Sequence, residues 1–188
     1  MKNNSSIKEF WPALRFVLIF AGVYFIGNIL YGLYIEYYYP LADPMTIWVT
    51  HQVVFIVNLF GESASSVVSE SEPIVYFRKL DEATGMSKTV LRVFEGCNGL
   101  NVVIVFIAFI VAFGGNVKRV MIFIASGCLI LHFFNLLRII LLYYTALNRP
   151  HFFYYFHKYI FTAFLYLVVF GLWILWTRMK SKQDAAIS

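Results

Sequence analysis

Three residues far apart in the chain carry side chains suited to acyl transfer: Cys97, Arg138 and His157. A thiolate can attack a carbonyl carbon, a guanidinium can hold the anion that develops, and an imidazole can move the proton. Arg138 stands out first. It lies in the apolar stretch Leu131-His-Phe-Phe-Asn-Leu-Leu-Arg-Ile-Ile140, where an ionisable group is costly and marks a bundle interior or a cavity. At about 100° per helical residue, Cys128, His132, Asn135 and Arg138 fall within an arc of about 120° on one face.

The elements that position these groups must be membrane helices. Of 188 residues, 61% are hydrophobic and 13% charged, against about 25% charged in soluble domains. A separate soluble enzyme domain therefore does not fit. Apolar runs at about 11–35, 97–115, 120–144 and 152–177 are each long enough to cross. The first lacks an Ala-x-Ala site after a short apolar core and reads as a retained helix, not a removed signal peptide. Lys2, Lys8 and Arg15 precede the first run, Lys118 and Arg119 separate the second from the third, and Arg178, Lys180 and Lys182 follow the fourth. The positive-inside rule puts all three clusters, and both termini, in the cytoplasm. The net charge of +5 is thus accounted for at helix ends, with no nucleic-acid partner implied.

This arrangement leaves about 36–96 facing outward, with eight of the ten acidic residues. Within it, Met45 to Phe60 is apolar but shorter, and if it crossed, Lys118 and Arg119 would be forced outside. It is therefore expected on the outer surface or as a re-entrant element. Ile74–Phe77 and Thr89–Phe94 are β-branched and aromatic runs separated by Asp81-Glu-Ala-Thr-Gly85, which predicts a hairpin leading directly into Glu95-Gly-Cys97. The fold expected is an all-α polytopic membrane protein of one domain: four transmembrane helices, room for a fifth interfacial or re-entrant helix, and a small outer β-hairpin. A disordered tail is expected after Lys180.

Counting from the cytoplasmic charges gives rises of roughly 27 to 32 Å up to Cys97, Arg138 and His157, close to the hydrocarbon thickness. The three groups share one level at the outer edge. If Cys97 begins an inward-running helix, the unpaired N–H groups and the dipole there favour its thiolate, and a nearby Arg138 adds to this. Gly96 and Gly99 leave room beside the sulfur for an extended peptide.

Each residue also has a plainer reading. Taken alone, Cys97 is a small buried hydrophobe, and Arg138 bridges helices or snorkels to headgroups. Cys128 sits about 15 Å below Arg138 by helical rise, which rules out a disulfide to Cys97 and favours an inert thiol. Asn135 reads as an orienter or interhelical hydrogen bond, and His132 as a packing histidine. His151, beside Pro150, competes with His157 but reads as a solvated loop residue. Arg149 and Lys158 read as interface anchors, and Tyr37, Tyr38, Tyr39, Tyr143, Tyr144, Tyr154, Tyr155 and Tyr159 as an aromatic belt. Glu95 either orients Arg138 and shapes the cleft or is an exposed hairpin carboxylate.

Glu95-Gly-Cys-Asn-Gly99 opening a membrane helix, Asn135-x-x-Arg138 late in the next and a His early in the last resemble the exosortase/archaeosortase family. The resemblance covers about Val90 to Trp176. Its short length and Gly-Cys-Asn-Gly form look most like the small exosortase F type of Bacteroidota. The family implies an intramembrane cysteine transpeptidase or peptidase that cleaves C-terminal sorting signals of exported proteins at the outer face of the bacterial inner membrane. It implies Cys97 as nucleophile, Arg138 as transition-state stabiliser and His157 as general acid/base, with Glu95, Gly96, Asn98, Gly99 and Asn135 around them. The substrate then carries a short motif, a membrane helix and a basic end, and the thioester passes to water or an acceptor amine. No metal or organic cofactor is implied, and membrane lipids are the other partner. Many members have about eight spans, so their fold details need not carry over.

Two other classes compete. A non-enzymatic membrane scaffold would use Cys97 and Arg138 only to pack helices. A membrane thiol oxidoreductase would need a resolving cysteine within reach, and Cys128 lies at the wrong depth. A transporter is weaker still, since the spans show no inverted repeat.

Overall fold

The structure, a computed structural model, describes residues 3–81 and 84–187. Lys2 and Glu82 of the charge reading lie outside the described residues, as do the side chains of Lys8 and Lys182. Helix α1 spans Asn3–Tyr38 and α2 spans Pro44–Leu59. Strands β1 (Ala64–Val68), β2 (Ile74–Leu80) and β3 (Ser87–Phe94) follow. A 3-10 turn, Glu95–Cys97, leads to α3, Leu100–Phe113, and then α4, Val117–Asn148. The last helical stretch starts with a 3-10 turn at Pro150–Phe152 and one turn of helix, α5, at Phe153–Tyr155. It continues through a π-helical turn at Phe156–Ile160 into α6, Phe161–Ile187. Helix α6 thus runs past Lys180, where the sequence places a disordered tail.

Three helical stretches are long and apolar enough to cross a membrane: Phe10–Tyr38, Val117–Asn148 and Pro150–Lys180. The fourth expected span, 97–115, is shorter than its apolar run. Helix α3 has 14 residues, about 21 Å at 1.5 Å per residue. Its ends are set by glycines: Gly99 takes φ +82° before the first turn, and Gly114 takes φ +69° after the last, positive values that side chains with a Cβ rarely adopt. Asn116 then caps α4 by accepting from the Lys118 N–H at 3.1 Å. The apolar element at 45–60 is helix α2, capped by Asp43, which accepts from the Thr46 N–H at 3.0 Å, with Pro44 in the first turn.

The expected hairpin is two strands of a three-stranded antiparallel sheet ordered β1-β2-β3. Val75 faces Val93 and Phe77 faces Leu91, while Arg78 faces Thr89, so Val90 is an extra residue bulged out of β3.

Two apolar clusters hold the molecule. The one beside the sheet packs Val49, Val53 and Val57, one stripe of α2, against Val75, Phe77, Leu91 and Val93 of the sheet and Ile139, Leu142 and Tyr143 of α4. The other joins Phe106 and Ile110 of α3, Phe123 and Leu131 of α4 and Val169, Leu172 and Trp176 of α6. With 32 residues, α4 is about 48 Å long. It therefore belongs to both clusters and carries the sheet on its C-terminal half. Helix α1 packs along α3.

Candidate functional site

The Glu95–Gly99 loop is held from three helices. Asn135 of α4 donates from Nδ2 to the Cys97 carbonyl at 2.9 Å. From α1, the Tyr31 hydroxyl donates to the Glu95 carbonyl at 3.0 Å and accepts from Asn98 Nδ2 at 3.1 Å. Asn98 Oδ1 accepts from the Leu100 N–H at 3.0 Å, starting α3, while Asn98 Nδ2 reaches Thr46 Oγ1 of α2 at 3.5 Å. Thr46 is in turn tied to Asp43, whose carboxylate also accepts from Tyr34 at 3.2 Å. With Asn98 and Asn135 only 3% and 2% exposed, these bonds are made where water cannot replace them, and breaking one costs about 1–3 kcal/mol.

The two loop glycines are needed for space. A Cβ at Gly99 would lie 3.0 Å from Asn135 Cγ, and its positive φ strains any other residue. A Cβ at Gly96 would lie 2.9 Å from the Phe94 ring.

Cys97 itself is buried, and it lies in the 3-10 turn, not at the first turn of α3 as the sequence suggests. The helix-dipole argument for its thiolate is thereby weakened. Burial pushes the thiol above its ordinary value, against the pull of the Arg138 charge and a hydrogen bond from the Phe94 main chain. Cys97 and His157 line one cavity of about 280 Å³, walled by β3, by Ile139 and Leu142 of α4, and by Phe153. The His157 ring stacks on Phe153 with centroids 5.8 Å apart and lies 6.5 Å from that of Phe94. Arg138 is 7% exposed, its charge reaches both the Cys97 sulfur and the His157 ring, and its buried Nε has no hydrogen-bond partner among the described residues.

The other candidates separate. His151 is exposed in its turn. His132 bonds Gln52 at 2.8 Å and stacks on Trp48 at 4.8 Å, a satisfied packing histidine. It lines a second, more apolar cavity with Cys128, Asn135 and Gly99, so three of the four stripe residues of α4 face that cavity, while Arg138 lines neither of the two. Glu95 forms no ion pair with Arg138, whereas Lys79 and Glu62 form one at 2.6 Å. Tyr143 departs from the aromatic belt: it is fully buried, donating to Glu62 at 2.9 Å. Among the described residues, no three His, Cys, Asp or Glu side chains converge to hold a metal ion.

Sequence reasoning missed Tyr31, Tyr34, Asp43 and Thr46. The Asp43-Pro44 pair preceding an apolar run is a local capping signal that points to two of them. No local signal ties Tyr31 to a loop 64 residues away.

The transmembrane exosortase family (Exosortase_EpsH) matches residues 10–175. The chain belongs to this family and is a multi-pass membrane protein. No curated protein and no solved structure matches it.

Proposed function

We propose that the chain is a cysteine transpeptidase or peptidase that cleaves the C-terminal sorting signal of exported proteins. The observation that carries this reading is the cavity shared by Cys97 and His157 beside a buried, incompletely paired Arg138. Cys97 gives its thiol proton to His157, Sγ attacks the scissile carbonyl, Arg138 holds the oxyanion, and the C–N bond breaks as His157 passes that proton to the leaving amine. Water or an acceptor amine then attacks the thioester, gives its proton to His157, and releases Cys97. Asn135 fixes the Cys97 main chain and so the direction of the sulfur.

Burial opposes the thiolate, so the Arg138 charge has a second task, keeping the thiol ionisable. The Gly-Cys-Asn-Gly form favours the small exosortase F subtype. In the topology we propose, α1, α3, α4 and α6 cross the bacterial inner membrane, both termini are cytoplasmic, α2 lies at the outer surface and the site faces outward. Support for this topology comes from the placement of Lys and Arg.

The test is processing in the native host. Cys97→Ser should insert normally yet leave substrates uncleaved in the membrane, and processing at the wild-type rate would overturn the mechanism in favour of a scaffold. A reporter cysteine at Ser87, in a protein without other cysteines, should label from outside the cell. Labelling only from the cytoplasm would overturn the topology.

A further inference from the structure

Strand β3 is an edge of the sheet and runs directly into the Cys97 turn. Five consecutive residues, Val90 to Phe94, line the cavity that holds Cys97 and His157. Successive side chains of a strand point to opposite faces, so one space can meet all five only along the edge of the strand, where main-chain groups are presented.

The register says which groups these are. In an antiparallel ladder each residue turns both main-chain groups to one neighbour or the other, alternately. The Ile74 carbonyl accepts from the Ser69 N–H at 3.0 Å, on the β1 side. Ile74 faces Phe94 and Tyr76 faces Arg92. Phe94 and Arg92 therefore turn their N–H and C=O away from β2, toward the open edge. Cys97 lines the same cavity as Arg92 and Phe94, which places its side chain on that side.

We propose that β3 is the substrate-docking edge: an extended segment of the exported substrate adds to it as a fourth strand, exchanging main-chain hydrogen bonds with Arg92. This inference rests on the peptidase reading above and deepens it. A residue paired with Arg92 sets the chain two positions further along, about 7 Å, beside Phe94 at the end of the strand, where the Cys97 turn begins. Main-chain pairing holds the peptide extended with little regard to its side chains. The cavity wall then selects: Leu91, Val93, Phe94, Leu142 and Phe153 are apolar, suiting small or apolar residues at the cleavage point.

The probes are the host's own membrane-anchored proteins that remain uncleaved when Cys97→Ala replaces the wild type. Arg92→Pro removes the outward N–H without touching the β2 ladder, and proline is tolerated on an edge of this kind. It should slow processing of those proteins by about tenfold, while thiol-reagent labelling of Cys97 stays at its wild-type rate. Arg92→Ala keeps the N–H and should cost only about twofold. Equal losses for the two variants, or wild-type processing by Arg92→Pro, would sink the docking edge and leave the peptidase reading intact. Wild-type processing by Cys97→Ala, so that no probe protein emerges, would sink the peptidase reading itself.

A second measurement does not depend on how the proline variant folds. In Cys97→Ala/Cys128→Ser, Arg92→Cys should form disulfides with cysteines scanned along the substrate segment outside the membrane, at alternate positions around one register. Crosslinks without that period of two would exclude strand addition.

Discussion

Of the pockets along α4, two are each lined by one cysteine and one histidine. In one, Cys97 and His157 face a cavity reached by the charge of Arg138, a guanidinium left with an unpartnered Nε among the described residues. In the other, Cys128 and His132 share apolar walls, and His132 is already occupied by Gln52 and Trp48. The residue types are the same and both rings are stacked; what differs is the nearby cation and, among the described residues, the hydrogen bond that already holds the His132 ring. A thiol and an imidazole in one cavity are therefore not a site. A neighbouring charge that favours the thiolate, and an imidazole not already bonded, make the difference.

The sharpest way to break this comparison is to exchange the cysteines. Cys97→Ser should lower processing by at least about 10³-fold, whereas Cys128→Ser should stay within about twofold; equal losses would erase the distinction. Arg138→Lys should cost about 10²-fold, because an ammonium keeps the charge but loses the planar fork. A milder loss would mean that charge alone suffices. Loss of the His157 ring should cost at least about 10²-fold in processing, and His151→Ala much less. His132→Ala should instead lower thermal stability by about 1 kcal/mol with processing retained. The reverse order between the histidines would move proton transfer to another ring.

Asn135→Ala leaves the Cys97 carbonyl unpaired and should slow processing about tenfold with the protein still inserted. The smallest effect concerns the sheet that covers the Cys97 pocket. Lys79, first, and the Tyr143 hydroxyl hold the Glu62 carboxyl below its ordinary value of 4.5. A folded value below the unfolded one adds stability above pH about 4.5, lost as pH falls through the lowered value. Hydrogen-exchange protection of β2 should therefore weaken in that acid window, and Glu62→Gln should remove the pH dependence. Unchanged protection in the wild type would show that the pair does not couple to the sheet.

Much of this was legible because polar residues in an apolar chain are few. Cys97, Arg138, His157 and Asn135 announce themselves by type and depth, and the long spans by composition. The start of α3 was not legible, since Cys97 prolongs an apolar run and only the backbone reveals that Gly99 interrupts it. Strand β1 was missed because Ala64-Ser-Ser-Val-Val68 is short and small-sided and pairs only through its neighbour β2. Counting rises along the last helix was also imprecise, because the π-helical turn at Phe156–Ile160 departs from 1.5 Å per residue just where His157 sits. Tyr31 and Thr46 act on the Cys97 loop across the fold, and contacts of that kind leave no periodic trace.

The bulge at Val90 makes β3 a counting device. Strand side chains obey an odd-even rule, and one additional residue inverts it for everything downstream. Leu91 and Val93 owe their place in the core beside the sheet, and Arg92 and Phe94 theirs outside it, to that inversion. Removing Val90 while the hairpin end keeps its register would exchange inside for outside over the last four residues of the strand. The nucleophile three positions later would then reach its cavity half a step out of phase, with every residue of the motif still present.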